Sequence, residues 1–420
     1  MSNQLLGMRK LFYVYVILCG FFANASNSTS EDLNTLSTYL SSDIDSAYIL
    51  SKQYLQKFHD NDDYFGIVRA NYYLGYIANL KKNYGKSVIY YLEAIRYAEM
   101  TDYESIENDK INLRRNLANI FRSFKANSLA TKYNLEGISI AEEEGITNQV
   151  ITLNRNQGLV YHEAKDFSNA IKCYEKVIEL GDDEDKYRTI NQIGLVHFDS
   201  KDYEQAITIF ESIVGLDGDF SRYSAKALHN LGEIHYALGD IDNSIEFLQN
   251  SIALKLSLNG VDNYSLFNSY RSIGRYLFEV NEIEKAEEHL LEAEKIFSYA
   301  EWDQKSYEIF KTLSNLYYSI NNNSLGQKYS ELYYNKVQEY LDTQNEIQQQ
   351  DKEYNFDLIT KRYFDEVESQ ERIASIMQTS KISIGALLSL LLLTIAYHRL
   401  EKIRMRRNIE KELTSLKMLD

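Results

Sequence analysis

The chain has 420 residues, no proline, 18 glycines, 35 tyrosines and a formal net charge of −16. A proline-free chain of this length suits long stacked helices, because proline breaks a helix wherever it falls inside one. Residues 26–380 carry 35 basic against 57 acidic side chains, a surplus that repels nucleic-acid phosphates and argues against direct binding to them.

The N-terminus reads MRKLFYVYVILCGFFANAS, with Arg9 and Lys10 ahead of an apolar run from Leu11 to Phe22 and small residues at Ala23 and Ala25. Twelve apolar residues are too few to span a bilayer but suit a signal peptide over residues 1–25. Leu18 precedes Cys19 where lipoprotein processing needs a small residue, so that alternative is set aside. Removal of this segment leaves Cys173 as the lone thiol, which excludes a disulfide scaffold.

The interior repeats itself. YYLGYIANLKKNYGKSVIYYLEAI, GLVYHEAKDFSNAIKCYEKVI, IGLVHFDSKDYEQAITIFESI, LGEIHYALGDIDNSIEFLQNSIAL and IGRYLFEVNEIEKAEEHLLEA align on Gly75, Gly158, Gly194, Gly232 and Gly274. Twelve residues after each comes a second small residue (Ser87, Ala170, Ala206, Ser244, Ala286), and four further on a large one (Tyr91, Tyr174, Phe210, Leu248, Leu290). Weaker copies centre on Ala118 and Ser314, and the half-copy DIDSAYILSKQYL precedes the first. Each unit holds two amphipathic runs, with small residues where helices cross closely and large ones filling the gaps.

This unit resembles the tetratricopeptide repeat, a helix-turn-helix of roughly 34 residues, although these units are longer and lack the usual closing proline. The resemblance covers residues 33–341 in about seven copies and implies an all-α solenoid, since one hairpin cannot bury its apolar face but a stack can. It also implies a groove lined by the first helix of each pair. Three groove-facing places per repeat collect Arg115, Arg122, Arg155, Arg271, Arg275 and Lys311 against a single acid, Glu233, which inverts the charge balance of the segment. Tyr72, Tyr76, Phe198, Tyr236, Phe278 and Tyr318 share that face. Related co-chaperones grip a C-terminal carboxylate with Lys and Asn, then Asn, then Lys and Arg. The matching places here hold Arg115 and Asn119, then Asn156, then Arg188 and Gln192, so the last Arg is missing. The ligand expected is a protein or peptide of acidic or carboxylate character.

No phosphate-cradling glycine loop, HExxH pair or paired CxxC occurs, so no cofactor, metal site or enzyme activity is expected. His197 and His235 occupy a place that is aromatic in sister repeats, which assigns them to packing.

Residues 342–380 read as a charged helical stalk continuous with the last repeat, since Gln327–Ile384 contains neither glycine nor proline. Tyr340, Ile347 and Tyr354 recur every seven residues, the spacing of a homodimeric coiled coil. Residues 382–398, ISIGALLSLLLLTIAYH, are uncharged and form the predicted membrane helix. Arg399, Lys402, Arg404, Arg406 and Arg407 follow, which places the tail 399–420 in the cytoplasm and the repeats outside it, in the bacterial envelope. The layout resembles the sensor half of bacterial membrane-anchored tetratricopeptide signalling proteins, which continue into a LuxR-type or histidine-kinase output domain. It implies a receptor or regulator; a static envelope scaffold, or a sensor whose output domain is lost, are the alternatives.

Overall fold

The computed structural model describes residues 27–369, except 104, 259, 261, 298–303 and 354, together with residues 372, 375 and 401. Within these the chain is helical throughout and holds no strand. The order is α1 (Asn27–Ser42), α2 (Ile44–Asp60), α3 (Tyr64–Leu80), α4 (Tyr84–Ala98), α5 (Ile106–Ser123), α6 (Asn127–Glu143), α7 (Thr147–Glu163) and α8 (Phe167–Leu180). It continues with α9 (Asp183–Asp199), α10 (Tyr203–Glu211), α11 (Ser221–Ala237), α12 (Ile241–Ser257), α13 (Asn263–Glu279), α14 (Ile283–Phe297), α15 (Gln304–Ser319) and α16 (Asn323–Glu353). A last helix, α17, covers residues 356–369. Seven hairpins run from α3/α4 to α15/α16, and α1 completes the expected half-copy into a further hairpin with α2.

The turn inside each hairpin is local chemistry. Lys82, Lys165, Lys201, Gly239, Asn281 and Asn321 all take left-handed backbone, with φ between +57° and +82°. In five hairpins the next residue (Asn83, Asp166, Asp202, Asp240 or Asn322) caps the second helix: Asp166 Oδ1 accepts from Asn169 N at 3.3 Å, and Asn322 Oδ1 from Leu325 N at 3.2 Å. The Lys-Asn, Lys-Asp and Gly-Asp breaks in the sequence are these turns.

Packing inside the hairpin follows the small-to-large register. A Cβ on Gly158 would stand 2.4 Å from the Tyr174 ring, one on Gly194 2.6 Å from Phe210, and one on Gly274 2.7 Å from Leu290. Where the second small residue is serine it also bonds the crossing: Ser87 Oγ donates to Gly75 O and Ser244 Oγ to Gly232 O, each at 2.7 Å. The last repeat swaps the two sides. There Ser314 Oγ on α15 donates to Gly326 O on α16 at 2.8 Å, and Tyr318 covers Gly326.

The predicted uninterrupted stalk does not form. Helix α16 runs without a break through residue 341, so its first part belongs to the last hairpin, but it ends at Glu353. Asn355 is outside any helix, and Phe356 is seated against Phe124 and Phe121 at ring separations of 5.1 and 5.5 Å. Burying that ring, only 5% exposed, is worth about 1.5–3 kcal/mol, a reason for the chain to turn where sequence alone shows no breaker. Of the coiled-coil seam, Tyr340 packs against Tyr307 of its own chain at 6.4 Å, while the Ile347 side chain and Tyr354 lie outside the described residues. A first compact unit ends at Phe356 and a second begins at Asp357.

Among the described residues no helix is long and apolar enough to cross a membrane. The predicted signal peptide (1–25) and membrane span (382–398) lie outside them, as does the tail 399–420 apart from Glu401.

Candidate functional site

The first helices of successive hairpins touch one another (α5 with α7, α9 with α11, α11 with α13, α13 with α15). Among the described residues no comparable contact joins successive second helices, so the first helices form the tighter, inner curve, as the repeat resemblance implies.

Most of the arginines and the lysine chosen from sequence stand on this face but are engaged within the chain. Arg122 pairs with Glu163 at 2.6 Å, and Arg155 with Asp185, each reaching the next first helix. Arg188 pairs with Glu184 at 2.8 Å, and Lys311 with Glu308 at 3.5 Å. Arg271 lies over the Phe267 ring, 5.8 Å from its centre. Arg275 donates to Tyr276 Oη at 2.9 Å and stacks over Tyr236 at 5.2 Å. Burial would raise the carboxyl of Glu233, but His229, Ser272, Tyr276 and Arg275 together hold it below its ordinary value. Arg122, Arg155 and Arg275 are therefore struts or stacks between repeats, while these contacts of Arg188, Arg271 and Lys311 lie within their own helices.

Arg115 differs. It is half-buried, and its hydrogen-bond partner is neutral: Nη1 donates to Gln149 Oε1 at 3.4 Å. Burial lowers its pKa, opposed by the nearby Tyr72 hydroxyl, the signature of a cation held out of water without a full counter-charge. One turn on, exposed Asn119 lines a cavity of about 350 Å³ with Asn79, Asn116, Tyr76, Tyr84 and Tyr91. Tyr84 meets Phe124 at 4.7 Å, and Phe124 in turn takes Phe356. Asn156 is half-buried on α7, two residues before Gly158, as Asn116 is two before Ala118. Asn119 thus lines the cavity, Arg115 stands one turn before it on α5, and Arg271, Arg275 and Lys311 lie on α13 and α15.

Asn79, Asn116 and Tyr84 were not singled out from sequence. A signal for Asn116 exists: the place two before the small residue holds Asn116, Asn156, Gln192 and Asn230, an amide in four successive repeats.

His197 and His235 share one role beyond packing. Each ring Nδ1 lies 3.1 Å from the carboxylate that caps the following helix, Asp202 and Asp240. Burial pushes the Cys173 thiol up to about 11, with Asp166 adding to it, so it is a poor nucleophile.

This geometry defines a class, the α-solenoid of helical hairpins whose first helices line an inner face. Tetratricopeptide-repeat models match residues 156–181, 191–254 and 223–298, so the chain carries tetratricopeptide repeats there. No curated protein matches the sequence. Among solved structures, the apo form of the quorum sensor NprR from B. thuringiensis is similar at 14% identity and a TM-score of 0.52, over 79% of this chain and 94% of that one. The apo form of RapI is similar at 16% identity and a TM-score of 0.43, over 65% of this chain and 100% of that one.

Proposed function

We propose that the chain works by binding, not catalysis, as a receptor or regulator that takes an extended peptide or protein segment along its inner face. The observation that carries this is on α5, where Arg115, a half-buried guanidinium hydrogen-bonded to a neutral amide, stands one helical turn before Asn119, which lines a cavity of amides and tyrosines. Amides bond an extended backbone through both donor and acceptor, tyrosines supply flat apolar area, and a guanidinium selects a carboxylate. The preferred ligand is acidic or ends in a free carboxylate. The fold is one that a quorum sensor uses.

The terminal sequences add a location to this reading: export through residues 1–25, one membrane helix at 382–398, and repeats on the extracytoplasmic side. Reporter fusions test it, with activity outside the cytoplasm expected at Asn345 and none after Leu416.

The ligand reading is tested by probing the full chain with an array of acidic peptides, each with a free and an amidated C-terminus. Arg115→Ala should weaken binding by roughly ten- to a hundredfold, since a hydrogen bond to a charged group contributes about 1.5–3 kcal/mol. Asn119→Ala should weaken it less. Unchanged binding in both variants would overturn the assignment.

A further inference from the structure

A second cavity, about 920 Å³, opens where the regular hairpin fails: α10 stops after nine residues, and the chain turns through a 3-10 helix at Gly218–Phe220 before α11. Its walls come from α9, α11, the end of α12 and the start of α13. Four bases line it, Arg188, Arg222, Lys226 and Lys255, with the acids Glu184, Asp219 and Asp262. Glu184 is engaged by Arg188, Arg222 and the Tyr223 hydroxyl, which hold its carboxyl down at about 2. Glu184 offsets only one of these two positive charges, but both guanidiniums are tied to its carboxylate.

The two lysines are not. Among the described residues neither Lys226 nor Lys255 has a carboxylate within the 4.0 Å of an ion pair. Lys255 is 4% exposed. Its Nζ donates to Ser265 O at 2.9 Å and to Ser269 Oγ at 2.7 Å, both neutral, and an ammonium has a third N–H. Ser269 Oγ also lies 3.0 Å from His229 Nδ1, and burial keeps that ring neutral down to about 4, so it supplies no charge. A buried ammonium with only neutral acceptors is unfavourable unless something supplies the missing charge. Burial accordingly pulls Lys255 down to about 7; Asp262 opposes this and Lys226 adds to it.

We infer that this cavity is a binding site for a small oxyanion, a carboxylate or a phosphate-like group, bridged by Lys255 on its floor and Lys226 on its wall. The site lies apart from Arg115 and does not depend on the peptide reading. An anion there favours the ammonium form of Lys255, so binding takes up a proton. The titratable groups that face Lys255 are Lys226 and neutral His229 on α11, with Asp262 ahead of α13.

The test is calorimetry on the full chain with sulfate and, separately, succinate, both of fixed charge between pH 6.5 and 8.5. At least one should bind at pH 6.5 and weaken by roughly tenfold at pH 8.5, as expected when only the protonated lysine binds. Heats in two buffers of different ionisation enthalpy should report proton uptake. Lys255→Met and Lys226→Gln should each weaken binding at least tenfold, the second without touching a buried group. Sulfate binding alone assigns a phosphate-like ligand, and succinate binding alone a carboxylate. Failure of both anions to bind the wild type, or binding that survives both substitutions, overturns the proposal.

Discussion

Adding one carbon to Gly158 should loosen the hairpin α7/α8, whereas adding one to Gly137 should not. A Cβ on Gly158 would lie 2.4 Å from a ring carbon of Tyr174, a fully buried side chain, while one on Gly137 would meet the end of the Leu153 side chain at 3.1 Å. Ordinary contact begins near 3.4 Å, so relief at Gly158 needs a shift of about 1 Å between packed helices. Overpacking of this kind costs about 1–3 kcal/mol, against about 1 kcal/mol gained because alanine favours the helix over glycine. The net expectation is a loss of up to about 2 kcal/mol for Gly158→Ala and a gain of up to about 1 kcal/mol for Gly137→Ala. A solenoid opens by repeats, so local hydrogen exchange in α7 and α8, read beside urea unfolding, is the suitable assay. In a Tyr174→Ala background the Gly158→Ala loss should vanish. Equal behaviour of the two glycines, or a loss that persists without the ring, would refute the small-to-large account of the repeat.

Lys165→Gly should stabilise the chain by about 1 kcal/mol in urea, because a side chain at φ +62° strains a backbone that glycine adopts freely. Arg155→Ala should lower stability by about 1–3 kcal/mol, since it removes a half-buried charge-assisted bond to Asp185 between neighbouring first helices; an unchanged melt would make that pair ornamental. Stability should rise with pH above about 7 towards the ordinary lysine value, because unfolded Lys255 keeps its proton in that window while the buried one has lost it. Lys255→Met should be more stable than wild type at pH 6.5, and its profile should lack that rise.

Periodicity alone determined the hairpins. A glycine, a small residue twelve later and a large one four beyond encode a close helix crossing, because helix geometry turns spacing directly into contact. Lys-Asp and Gly-Asp breaks likewise encode their turns through two adjacent residues. Which charged side chains are available could not be read that way. Arg115 and Arg155 hold the same place in adjacent repeats, yet Arg155 meets Asp185, thirty residues on, and Arg115 meets only an amide. Partners at such separations depend on how one repeat is rotated against the next, which no single repeat specifies. The same holds for Phe356, which ends the long helix by finding Phe121 and Phe124 some 230 residues away, and for Lys255, whose isolation exists only because a shortened α10 leaves a cavity beside it.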